Sequence, residues 1–131
     1  MSFQKDISLL EKWRYLAVCF YDLYDNCDQH NPAIRELHYQ AFRCALSLGA
    51  NYAEAIGGRS HADKRRRLDI ARCEAKELQH HLSVMLDIFG SDYVMTSLKE
   101  LVLDAVKILW KVSDSYADGK WRKLDKSEPL N

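Results

Sequence analysis

A chain of 131 residues has room for one hydrophobic core. Its apolar fraction of 47% excludes a disordered tail, and two prolines with five glycines are too few for a turn-rich all-β fold. Lysine plus arginine and aspartate plus glutamate balance at 19 each, so no global field draws polyanions and any nucleic-acid affinity has to come from a local patch.

Apolar residues recur at spacings of three and four through four long segments, the helical period. The first predicted helix runs from about Asp6 to Asp28, with Leu9, Trp13, Leu16, Phe20, Leu23 and Cys27 on one stripe. Asn31-Pro32 then supplies an N-cap and a proline at the first helical position. The second helix reaches about Ile56 and presents Ile34, Leu37, Ala41, Ala45, Leu48, Tyr52 and Ala55. Along it Ala41, Ala45, Gly49, Ala53 and Gly57 form a ladder of small side chains every four residues. Such a ladder admits a close helix neighbour, either inside the monomer or from another chain.

Gly57-Gly58 is expected to end this helix in a left-handed conformation, and Ser60 with Asp63 resembles a capping box for the third. The third stripe is Leu68, Ala71, Ala75, Leu78, Leu82, Met85 and Phe89, stopped by Gly90. Ser91 is placed to cap the fourth helix, whose stripe reads Val94, Leu98, Leu101, Ala105, Ile108, Val112 and Tyr116 before Gly119. Beside it run Leu103, Val106 and Trp110, a second apolar seam that either covers another subunit or partner, or wraps the bundle edge.

Helices of this length span roughly 37 Å, and connections this short force sequential neighbours antiparallel. The expected fold is all-α, an up-down-up-down four-helix bundle over residues 1–119, followed by a polar tail at 120–131. The tail gathers Lys120, Arg122, Lys123 and Lys126 around Trp121, a mixture suited to a base and phosphates or simply to solvent.

Cys19, Cys27, Cys44 and Cys73 form no C-x-x-C pair and fall within helical patterns, so buried free thiols in a reducing cytoplasm are expected. The N-terminus MSFQKDIS is polar and no apolar run approaches 18 residues, so a cytoplasmic protein without a membrane partner is expected.

Catalytic patterns are scarce. There is no G-x-S-x-G, Walker loop or H-E-x-x-H, and Gly57-Gly58 follows a helix where a phosphate loop would follow a strand. Glu77-x-x-His80 has the spacing of a di-iron ligand pair, yet only one such pair occurs, and His80 lies nearly opposite the apolar stripe. His81 lies closer to the core edge, as a packing histidine. Neither an enzyme, a cofactor nor a metal is therefore expected. Asn51 and Glu54 read as a polar brace, bonded to Arg59, Ser60 or Arg66.

The basic cluster is the strongest functional lead. Between Arg59 and Lys76 lie seven cations (Arg59, Lys64, Arg65, Arg66, Arg67, Arg72 and Lys76) against Asp63, Asp69 and Glu74. Consecutive helical residues cannot share one face: Arg65, Arg72 and Lys76 fall within about 40° on the outer face. Lys64 and Arg67 align with the apolar stripe, to extend off the bundle end or to meet Glu54 or a neighbouring subunit. Asp69 can pair with Arg65 and Arg72 at helical spacing, so a merely solvated face is the competing reading. Lys64, Arg65, Arg66, Arg67, Arg72 and Lys76 are the candidate nucleic-acid residues, with RNA or DNA as the partner.

The stretch SLGANYAEAIGGRSHADKRRRLDIARCEAKEL, Ser47 to Leu78, resembles the signature of the four-helix-bundle proteins encoded in 23S rRNA intervening sequences. The matching positions include Ser47, Ala50, Asn51, Ala53, Glu54, Gly57, Arg59, Ser60 and Asp63, then Leu68, Ile70, Ala71, Glu77 and Leu78. Gly49 stands where that family usually has proline, Gly58 where arginine is common, and Lys64 and Arg67 where residues are usually apolar or aromatic. The resemblance implies a cytoplasmic bacterial protein that assembles as a homo-oligomeric ring, a homopentamer. Similar proteins include the accessory variability proteins of diversity-generating retroelements, which implies a reverse transcriptase or another protein, with nucleic acid, as partners. A scaffold module without nucleic acid is the alternative.

Overall fold

The computed structural model describes residues 3–115, and they form four helices. They are α1 (Phe3–Asn26), α2 (Pro32–Ile56), α3 (His61–Phe89) and α4 (Tyr93–Ser115). The basic tail, Tyr116 and Gly119 lie outside the described residues. Each helix packs along its sequence neighbour, most extensively α2 against α3, while α1 and α4 touch only lightly. The chain is thus the expected four-helix bundle.

The core is one cluster drawn from all four helices. In α3 it takes Leu68, Ala71, Ala75, Leu78, Leu82 and Met85, alternating steps of three and four as in a coiled-coil seam. From α1 come Leu9, Trp13, Leu16 and Phe20, with Trp13 edge-on to Tyr52 of α2 at 5.9 Å between ring centres. Leu23, expected on the same stripe, is half-buried towards the end of α1, and Cys27 is half-buried just after it. Of the four thiols expected to be buried, Cys44 is, Cys19 and Cys27 are half-buried, and Cys73 on the outer side of α3 is exposed. The small-residue ladder works inside the monomer from Ala41 to Gly49. A Cβ on Gly49 would lie 3.2 Å from Trp13 Cβ, so the missing side chain is what lets α1 approach α2. The last two rungs, Ala53 and Gly57, are exposed.

Two expected caps hold. Asn31 Oδ1 accepts from the amides of Ala33 (3.1 Å) and Ile34 (3.2 Å), with Pro32 opening α2. Ser60 Oγ accepts from Asp63 N at 3.1 Å, but the Asp63 carboxylate takes Arg66 at 3.3 Å.

Other expectations are corrected. Gly57 is not left-handed: its φ is −92°, and its N–H closes the last turn onto Ala53 O. Among the described residues the glycine with positive φ, at 80°, is Gly90 after α3. The cap of α4 is Asp92 rather than Ser91, its carboxylate accepting from Met95 N at 2.8 Å. The buried face of α4 is accordingly Met95, Leu98, Val102, Ala105, Leu109 and Ser113. Leu101, Ile108 and Val112 flank it, and Val94 is 54% exposed. Phe89, expected in the core, is largely exposed at the end of α3, 5.4 Å from the ring of His38. His38 is buried on the same stripe as Ala41, three residues before it on α2, its Nδ1 2.8 Å from Ile34 O.

Candidate functional site

The α2–α3 hairpin divides the basic run. Arg67 points inward, and its Nη1 donates to Asn51 Oδ1 at 3.2 Å. Asn51 Nδ2 in turn donates to Ser47 O at 2.9 Å, so a polar string ties α3 to the last turns of α2. The brace therefore runs from Asn51 to Ser47 and Arg67. Glu54 and Arg59 are exposed, and Ser60 serves as a cap.

Lys64 is half-buried and lays its stem across Gly58. A Cβ on Gly58 would lie 2.9 Å from Lys64 Cγ and 3.1 Å from Ala55 O, inside van der Waals contact. Two departures from the resembled pattern, a glycine at 58 and a lysine at 64, thus fit each other sterically. Neither Lys64 nor Arg67 extends freely from the bundle end.

The outward cations form a different group. Arg72 lies over the indole of Trp110, its guanidinium carbon 4.5 Å from the ring centroid, while Asp69 holds its other side at 3.9 Å. Asp69 is itself fixed from α4 by the Ser113 hydroxyl, which donates to it at 2.6 Å. Below this pair a groove between α3 and α4 is lined by Lys76, Val106, Lys107, Trp110, Lys111 and Asp114. Trp110 is 53% exposed there.

The structure therefore brings Arg72 and Lys76 together with Lys107 and Lys111 around one tryptophan. Arg65 stands apart, in a depression it shares with Arg66, Asp69, Ile70 and Cys73. Lys107 and Lys111 were missed from sequence, although Lys107 lies three residues before Trp110 and Lys111 one helical turn after Lys107. Of the apolar seam on α4, Leu103 is half-buried and Val106 packs against the core, leaving Trp110 as its exposed member.

On the opposite side of α3 the acidic positions point towards α2. Glu77 groups with His81 and Cys44, whereas His80 is exposed. Cys44 Sγ donates to Glu77 Oε2 at 3.4 Å, and Arg43 bridges Glu74 (3.4 Å) and Glu77 (3.3 Å). Burial, reinforced by the Glu77 carboxylate, pushes the Cys44 thiol up to about 12. Burial, and then the charge of His80, holds His81 below the ordinary histidine range.

A second groove, apolar and about 480 Å³, lies between α1 and α2. Ile7, Leu10, Leu46, Ala50 and Ala53 line it, and Leu46 is 55% exposed. Here the ladder's outer face joins apolar residues that lie off the predicted stripes. No helix among the described residues is long and apolar enough to cross a membrane.

Comparison with known proteins agrees with this architecture. No curated protein matches the chain. A crystal structure of a protein of unknown function from the S23 ribosomal protein family of Bacteroides thetaiotaomicron superposes with a TM-score of 0.74. It is 25% identical, and the alignment covers 84% of this chain and 98% of that one. The sequence model of the 23S rRNA-intervening sequence protein family matches residues 5–111, spanning all four helices but for their outermost ends. The chain belongs to the 23S rRNA-intervening sequence protein family.

Proposed function

We propose that this chain is a non-catalytic, cytoplasmic, homo-oligomeric bundle that binds RNA, free or within a ribonucleoprotein, through a basic surface on α3. The observation that carries the reading is the exposed Trp110 indole, faced by Arg72 and ringed by Lys76, Lys107 and Lys111. An exposed ring among cations is how single-stranded nucleic acid is held without sequence preference: bases stack on the ring and phosphates meet the charges. The overall charge is zero, so this local patch is what distinguishes the surface electrostatically. Self-association, a pentamer by family resemblance, would repeat the patch around a ring and multiply its phosphate contacts.

The test is binding of an unstructured RNA oligonucleotide across a salt series. Contacts from four cations give a log–log slope of roughly −2 to −3. Substituting Lys76, Lys107 and Lys111 by glutamine flattens that slope, and Trp110→Ala weakens binding about tenfold to a hundredfold, as loss of one stacked base does. A salt-independent affinity, or one indifferent to Trp110→Ala, overturns the reading.

The apolar groove between α1 and α2 favours a second reading, a protein-interaction module whose charges only solvate it. Under that reading capture of a protein partner, such as a reverse transcriptase, is lost in Leu46→Asp and is not displaced by RNA.

A further inference from the structure

Glu77 and His81 are one helical turn apart, i and i+4, so their side chains leave α3 from the same face. That face is packed against α2, and the residue it meets is Cys44, fully buried at 0% exposure. A carboxylate oxygen, an imidazole nitrogen and a sulfur consequently lie within 4.8 Å of one another. Two donors from one helical turn and a third from the neighbouring helix make a chelate whose geometry the bundle itself holds.

We infer that Cys44, Glu77 and His81 form a site for a borderline transition-metal dication, Zn²⁺ by preference. Thiolate, imidazole and carboxylate together select such an ion over Mg²⁺ or Ca²⁺, which take oxygen donors. Zinc bonds of about 2.0–2.3 Å in tetrahedral array place the donor atoms roughly 3.3–3.6 Å apart. The sulfur–carboxylate separation of 3.4 Å already meets that spacing, and the remaining donors need to close by about 1.5 Å at most. On binding, the Cys44 S–H bond breaks, a metal–sulfur bond forms and the proton leaves to solvent past the exposed Glu77 carboxylate. Three protein donors leave the fourth position to water on that exposed side.

Arg43 is the obstacle and also a lever. Its guanidinium lies 3.3 Å from Glu77 and 3.5 Å from the sulfur, where it repels an incoming dication. It has other anchors, Glu74 at 3.4 Å and Gln40 Oε1 at 3.0 Å, which keep it bonded when Glu77 turns to the metal. The site is therefore one in which the chain's own cation competes with the metal for one carboxylate. An occupied site would clamp α2 to α3, away from the Trp110 groove.

The experiment is titration of the tag-free, chelator-stripped full chain with Co²⁺, followed by displacement with Zn²⁺. The expected result is one equivalent bound, with a sulfur-to-cobalt charge-transfer band that Zn²⁺ abolishes. Cys44→Ser and His81→Gln weaken binding by more than about a hundredfold, since loss of even outer partners costs roughly ten- to a hundredfold. Glu77→Gln, on the exposed side and compatible with the fold, weakens it similarly, and Arg43→Gln tightens it. His80→Gln and Cys73→Ser leave it unchanged; circular dichroism establishes that each variant is helical. Absence of the band in the wild-type chain overturns the site. So does its survival in both His81→Gln and Glu77→Gln, or its loss in His80→Gln.

Discussion

At the scale of single residues, charge near a core stripe is tolerated because each charged group has a local solution. Arg67 donates to Asn51 Oδ1, and Asn51 Nδ2 to the Ser47 carbonyl, so the guanidinium keeps a hydrogen bond in a half-buried position. Lys64 uses its hydrocarbon stem as packing material over Gly58. This coupling is measurable. Gly58→Ala is expected to destabilise the chain by about 1–3 kcal/mol in urea denaturation, as overpacking does. The same substitution in a Lys64→Ala background costs less, because the nearest of three crowding atoms is gone, while the contacts with Ala55 O and Asp63 Oδ2 remain. Equal costs in the two backgrounds would mean that the lysine stem does not occupy that space.

At the scale of elements, α4 shows where periodicity reaches its limit. Leu98 and Ala105 were legible as core, whereas Leu101, Ile108 and Val112 were placed one residue from the true seam. The apolar arc of α4 is wide enough to admit several phases, and the cap moved with the phase, from Ser91 to Asp92. Packing against α3 decides between them, through Leu109 and the Ser113–Asp69 hydrogen bond. Leu109 is 0% exposed, so Leu109→Ala should cost about 2–5 kcal/mol by thermal or urea unfolding. Ile108→Ala, on the half-buried flank, should cost clearly less; the reverse order would put the helix in the other phase.

At the scale of the whole molecule, two surfaces compete to explain what the bundle meets. The cationic groove between α3 and α4 suits an anion, and the apolar groove between α1 and α2 suits another protein surface. If the apolar groove is the self-association surface, Leu46→Asp converts the assembly to single chains in light scattering and leaves its helical content intact. The residue is 55% exposed, so the substitution does not enter the core. A wild-type chain that is already monomeric, or an assembly unmoved by the aspartate, removes self-association from that groove.

Helix number, order and approximate ends were determined by sequence alone, because a three-and-four period and local caps such as Asn31-Pro32 and Ser60 act within one turn. The family was legible for the same reason, in an ungapped stretch around the hairpin. What one helix presents to another was decided only by tertiary structure. Rotation of α4 by one residue exposed Val94 and buried Met95. The turn of α3 against α2 paired Glu77 with Cys44 and His81 rather than with His80. Neighbouring residues on a helix differ by about 100° in direction, so a small difference in packing angle chooses which side chains meet.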